Sequence, residues 1–215
     1  MSIVLDLQKL AIDSNCDILS LLRKAYFVSR KLDITDFQEW ITFELNGYDE
    51  HNKIPEYRKI TGLLKGFNPY HGWIPVIIPD KRLEETICTH KLFDSIPSLV
   101  NLIGNQGNST LYIQLPGATI QTICSMTGYE ANYGLRISSN SIANIIEQVK
   151  NKILDWSMLL EENGIIGENF QFTVEEKAVV QNTPQIINYI SNIYGNMANS
   201  QLQQGTTNST NKQSF

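Results

Sequence analysis

Charge is scarce in this chain. Only 18% of its 215 residues are Asp, Glu, Lys or Arg, and Asn, Gln, Ser and Thr supply the polarity instead. The net charge of −5 argues against broad electrostatic binding to nucleic acid or to an anionic membrane, though it leaves room for a local basic patch. No apolar run approaches the ~20 residues that span a bilayer, so no membrane partner is expected. The opening MSIVLDLQKLAIDSN has no basic segment ahead of an apolar one, unlike a secretory signal. The three cysteines, Cys16, Cys88 and Cys124, lie far apart and form neither an even set nor a close pair. A reducing cytoplasm is the expected setting.

Chemistry-bearing motifs are just as sparse. No C-x-x-C, H-E-x-x-H or EF-hand spacing occurs. Cys88 and His90 share a face only if their segment is extended, and His71 and Cys124 would have to join them through the fold. No metal or cofactor is expected. A metal nuclease would pair Pro79–Asp80 with Glu175–Glu176–Lys177, but the second group opens a helix instead of lying on a neighbouring strand. The loop from Gly104 to Gly107 lacks the Lys-Ser/Thr of a phosphate-binding loop. There is no G-x-S-x-G elbow, and only His51, His71 and His90 are available as an imidazole base. These gaps leave no catalytic residue to name.

What the chain does have is one long amphipathic stretch. From Ser139 to Gly164, residues Ile142, Ile146, Val149, Ile153, Trp156 and Leu160 recur at alternating spacings of four and three. That spacing places them on one side of a helix, with Ile145 and Leu159 widening the stripe. Glu147, Lys150, Lys152, Asp155, Glu161 and Glu162 fall mostly on the other side. Ser139 or Asn140 suits the N-cap and Gly164 the position past the end. A helix of about 24 residues is roughly 36 Å long, enough to cross a small domain. Burial in a core explains the stripe best, because the heptad stops there; a self-association seam is the alternative.

The rest reads as an α+β domain. Three helices come first: one over Ile3–Ala11, one from Asp17, and one opened by a Thr35–Gln38 capping box and stopped at Gly47. The second and third form an antiparallel hairpin. Apolar β-favouring runs follow at Ile60–Lys65 and Trp73–Ile78, the second made an edge strand or split by Pro75. Asp80 caps a helix reaching towards Leu92, and Ser95 with Pro97 opens another. Thr110–Leu115 and Tyr133–Ser138 are strands, with a helix from Pro116 between them. Thr173 and Glu176 make a capping box for a last short helix. The expectation is an N-terminal helical hairpin packed with a small mixed sheet and a long C-terminal helix, over residues 1–181. Residues 182–215, rich in Asn, Gln, Ser and Thr, read as a tail that builds no core of its own.

Two surfaces are candidates for binding. Arg23, Lys24, Arg30 and Lys31 form a basic cluster on the second helix; the bland reading is a solvated face, the sharper one a site for an acidic or phosphate-bearing partner. Tyr57, Phe67, Tyr70, His71 and Trp73 cluster around a Gly/Pro-rich turn beside Arg58, Lys59 and Lys65. They either pack beneath a loop or form a shallow site for a base or peptide. The tail segment Gln201, Leu202, Gln203, Gln204, Gly205, Thr206 is uncharged and amide-rich, which suits stacking of identical strands as well as disorder.

Three pieces in this order resemble a known family. SLLRKAYFVSRKLDITDFQEWITFELNGY resembles the opening helical hairpin of the AbiTii family, bacterial proteins named for abortive phage infection. NKILDWSMLLEENGIIGENFQFTVEEK resembles its leucine–aspartate–tryptophan helix and glycine turn, and NMANSQLQQGTTNSTNKQ resembles a Gln-Gln-Gly-Thr tail found after such domains in defence proteins. The resemblance implies a cytoplasmic bacterial protein of antiphage defence and carries over no active-site residues. No effector domain is expected after the tail. A module of this kind works alone, as an oligomer, or with a separately encoded effector or a phage component. The first hypothesis is therefore a non-enzymatic sensor, adaptor or assembly module. The second is a toxin or enzyme acting on nucleic acid or nucleotide through the aromatic and basic residues of Tyr57–Trp73.

Overall fold

The computed structural model describes residues 2–49, 53–104 and 111–194. Its first third is helical because apolar residues recur there at helical spacing: α1 (Ile3–Ile12), α2 (Ile18–Lys31) and α3 (Thr35–Asn46). Ser2 and Asp17 cap α1 and α2, their side chains accepting from free first-turn amides. The expected Thr35–Gln38 capping box does not form. Ile34 is the N-cap of α3 and makes no side-chain cap. Gln38 is instead drawn into the hairpin, where its amide donates to Ser29 O at 3.1 Å and its carbonyl accepts from Arg30 at 3.3 Å. It joins the Ile34 amide on the Ser29 carbonyl near the end of α2 and does not serve the amide end of α3.

A 3-10 turn at Glu56–Arg58 leads into β1 (Lys59–Thr61) and β2 (Leu63–Asn68), followed by β3 (Gly72–Pro75), α4 (Lys81–Cys88) and β4 (Thr89–Lys91). The single run expected at 60–65 is thus two strands in two sheets. Gly62 separates them, where a side chain would meet Arg136 O at 3.2 Å and Leu135 Cβ at 3.1 Å. β1 pairs with β4, whose residues leave the α4 helix short of Leu92 to supply β1 with hydrogen-bond partners.

Then come α5 (Ile96–Gly104), β5 (Leu111–Gln114), α6 (Gly117–Thr127) and β6 (Tyr133–Ile137). The larger sheet has the order β3-β2-β6-β5. Every pair in it is antiparallel, so the sheet is not mixed. A tight turn joins β2 to β3, and α6 returns the chain directly beside β5; neither makes the crossover that parallel neighbours require. β3 is an edge, which accommodates Pro75.

The long helix is α7 (Ser139–Glu162), capped one residue earlier than expected by Ser138. Ile142, Ile145, Val149, Ile153, Trp156 and Leu160 are all fully buried. Trp156 stacks on Phe37 of α3 with ring centroids 4.0 Å apart. The stripe is therefore spent inside the fold and is not a seam for a second copy. At the helix end, Gly164 takes φ 75°, and the amides of Gly164 and Ile165 close back onto Glu161 O and Leu160 O at 2.8 and 2.9 Å.

Three short helices follow, α8 (Val174–Asn182), α9 (Pro184–Ile187) and α10 (Ile190–Tyr194). Thr173 and Glu176 form the expected capping box. Ile186, Tyr189 and Ile193 are buried in the main core with α1, α2, α3 and α7. The folded part thus continues past the boundary drawn at 181, because apolar residues spaced three and four apart persist among the amides. A second, smaller core joins α4 and α6 to one face of the larger sheet through Leu64, Ile87, Ile123, Tyr133 and Leu135.

Candidate functional site

Strand alternation decides which residues of the larger sheet reach solvent. Leu64, Tyr133, Leu135, Ile137 and Leu111 point into the two cores. Their neighbours Leu63, Lys65, Phe67, Trp73, Tyr112, Gln114 and Arg136 occupy the opposite face. The register sets these in three rows: Phe67 opposite Trp73; Lys65 opposite Gly134 opposite Gln114; Leu63 opposite Arg136 opposite Tyr112. None of these residues belongs to either core; α4 borders one end of the face, where Lys81, Glu84 and Glu85 share a hollow with Leu63, Lys65 and Arg136, and Phe67 and Tyr112 remain 42% and 41% exposed.

Trp73 organises the face. Its ring reaches across from the edge strand to lie over Gly134, where an added Cβ would sit 3.7 Å from the indole. There it stacks on Tyr112 at 4.9 Å and 30°, and meets Phe67 edge-on at 5.6 Å. Lys65 Nζ lies 3.5 Å from Trp73 O, to which it donates. A hollow of about 530 Å³ opens beside the stack, lined by Trp73, Tyr112, Gln114, Asn132 and Gly134 among others. The four strands carry two cations, Lys65 and Arg136, and no carboxylate. Tyr70, 91% exposed, and His71 stand at the hairpin tip, where Asn68 Oδ1 accepts from both their amides at 2.8 and 3.1 Å.

The cluster expected over Tyr57–Trp73 is thereby divided. Tyr70, His71 and Trp73 belong to the hairpin. Tyr57, Arg58 and Lys59 precede β2, whose six residues put roughly 20 Å of strand between the groups. Arg58 is completely buried. Its guanidinium forks onto Glu44, Nε at 3.1 Å from Oε1 and Nη2 on Oε2, while Nη1 donates to Leu92 O at 3.0 Å and Asp94 O at 2.7 Å. Tyr48 and Tyr57 donate to the same Glu44 oxygen at 2.8 and 2.6 Å, and Trp40 Nε1 donates to Tyr57 Oη at 2.9 Å. Burial opposes the Arg58 charge, but Glu44 with Tyr48 and Tyr57 beside it more than offsets this, and the guanidinium pKa is raised. Burial, then Glu44, pushes the Tyr57 hydroxyl well above its usual value. This is a sealed network fastening α3 to the segments before β1 and after β4, with four of the five Arg58 N–H groups already engaged. Lys59 is exposed and pairs with Glu56 at 2.7 Å.

The basic cluster on α2 is partly committed as well. Arg23, Arg30 and Lys31 are exposed and Lys24 is half-buried. Arg30 donates to Gln38, and Lys31 lies over the Phe27 ring at 5.4 Å. Gln201, Leu202, Gln203, Gln204, Gly205 and Thr206 lie outside the described residues, as does His51.

Other candidates resolve into local roles. Among the described residues no group of three or more His, Cys, Asp and Glu is placed to hold a metal ion. Burial pushes the Cys88 and Cys16 thiols up, away from the reactive thiolate. Asp80 caps α4, and Glu176 accepts from Ile166, Gly167 and Thr173 amides at 2.8, 2.9 and 2.7 Å. Burial works against the Glu176 charge and these amides more than offset it, holding its pKa low.

Sequence reasoning passed over Tyr112 and Arg136. The signal lay in strand parity, since TLYIQL and YGLRIS each alternate and put Tyr112 and Arg136 opposite their buried neighbours. The strand order that brings Tyr112 under Trp73 was not readable from either run. No helix among the described residues is long and apolar enough to cross a membrane. In comparison with known proteins, the AbiTii family model matches residues 2–185. No curated protein and no solved structure matches the chain.

Proposed function

The chain belongs to the AbiTii family, and we propose that it serves abortive-infection defence as a recognition and assembly module without catalysis of its own. Membership suggests the defence setting. The recognition role rests on one observation, the open face where Trp73, Tyr112 and Phe67 meet beside Lys65 and Arg136. A sheet normally covers such large side chains or keeps its open face polar. The cytoplasmic setting is part of the same reading, supported by three cysteines that all remain free thiols. So is self-association or recruitment of a separate effector through the amide-rich segment 201–206.

Phage plating tests both halves. Bacteria expressing the Trp73→Ala, Tyr112→Ala double variant lose protection on this reading, whereas full protection removes the recognition role from the face. For the tail, the cut belongs after Tyr194, since a cut after Gln181 also takes Ile186, Tyr189 and Ile193 out of the core. Protection undiminished by loss of residues 195–215 ends the assembly role of the tail.

A further inference from the structure

We propose that the open sheet face binds single-stranded nucleic acid, stacking bases on Trp73, Tyr112 and Phe67 and holding phosphates with Lys65 and Arg136. The inference rests on the recognition role of that face and names its ligand class. Three properties point there together. The rings are half-exposed and grouped, Tyr112 stacked with Trp73 at 4.9 Å and Phe67 edge-on at 5.6 Å, and an aromatic ring accepts any base by its π-face. The strands themselves are positive: in a chain of net charge −5 they hold two cations and no carboxylate, and where α4 borders the Lys65 and Arg136 end of the face it adds Lys81 as well as Glu84 and Glu85. The Gln114 and Asn132 side chains line the adjoining hollow, supplying amide donors and acceptors for base edges.

Single strands are favoured over duplex because a flat aromatic face meets only bases that are free to unstack. A peptide is the weaker candidate. Extended peptides gain affinity by pairing their backbone with a sheet edge, while these rings sit out on the sheet face and bridge from one edge strand to the other.

Intrinsic fluorescence reads the binding directly. Of the three tryptophans, Trp40 and Trp156 are fully buried, so Trp73 is the one able to stack with an added base. The full chain is titrated with single-stranded oligo(dT) and oligo(U) of about 12 nucleotides, a blunt duplex of equal length, and polyglutamate. The expected result is quenching by the single strands and little by the duplex or the polyglutamate. Tyr112→Ala weakens binding about 5- to 100-fold, the range for one lost stacking contact. Lys65→Gln and Arg136→Gln each flatten the salt dependence by about 0.7 in log–log slope. An unchanged thermal melt shows that these solvent-face variants are folded.

Equal quenching by duplex, undiminished binding by Tyr112→Ala, or polyglutamate competing as well as the oligonucleotides overturns the inference; the last makes the face an acidic-peptide site. If the double variant loses phage protection while the unmutated chain binds no oligonucleotide, the nucleic-acid assignment falls and the recognition role stands. If oligonucleotides bind and the double variant still protects, the binding assignment holds and the defence role of the face falls.

Discussion

Glu44 and Arg58 show how a charge can be present in a sequence and absent from the surface. Both are fully buried, and each is the other's main partner. Glu44→Gln removes the charge that Arg58 answers and leaves a guanidinium stranded in the core, a loss of about 3–5 kcal/mol. Urea unfolding followed by circular dichroism checks this; a loss under 1 kcal/mol would mean Arg58 has escaped to water. Gly167 is a second sensitive residue. Its φ is 65°, and an added methyl would sit 2.5 Å from the Phe172 ring and 2.8 Å from Ile3 Cγ2. Gly167→Ala is expected to cost roughly 2–4 kcal/mol in the same assay, strain and overpacking together. Neither residue was legible as special from the sequence. Arg58 sat among aromatics and other cations and read as part of a binding surface, because a charge reveals its burial only through a partner distant in the chain.

Among the elements, the two capping boxes make the same point from opposite sides. Thr173–Glu176 and Thr35–Gln38 have identical spacing, yet only the first forms. Gln38 had a better use in the hairpin, while Glu176 found two further amides in the turn after α7. Glu176 therefore joins α8 to that turn. Its pKa is depressed from an ordinary 4.5, so its contribution is full above that value and disappears as pH falls through the lower folded value. Glu176→Gln is expected to lower the melting temperature at pH 7, with the gap to the unmutated chain closing as the medium is taken well below pH 4.5. A gap that persists unchanged in acid would assign the effect to shape and not to charge. By contrast, α7 was legible almost to the residue, since its apolar spacing and its terminal glycine are local signals. The strand order was not, because pairing joins residues that no local pattern connects.

For the molecule as a whole, the position of the boundary decides how it can be cut. Ile186, Tyr189 and Ile193 each contribute about 1.5–3 kcal/mol by burial, together comparable to the entire stability of a typical domain. A chain ending at Gln181 is expected to be unfolded or molten, whereas one ending at Tyr194 should melt with the full chain. Calorimetry on both separates the two; a cooperative transition in the shorter form would show that α9 and α10 are dispensable. The amide-rich composition beyond 182 masked this, since three apolar residues at helical spacing suffice to dock two short helices.

The start of α1 is also tied directly to the turn after α7. The Ile3 and Val4 amides donate to Gly167 O and Ile166 O at 3.0 and 3.3 Å, and Ser2 Oγ donates to Ile166 O across 164 residues of chain. On the ribosome, α1 must therefore wait for a segment made 164 residues later. At ordinary rates of synthesis that interval is on the order of 10–30 s. Throughout it α1 has only the neighbouring α2 to pack on and lacks its main partner, α7, which is the period in which a chaperone, or a neighbouring nascent chain, has the readiest access to it.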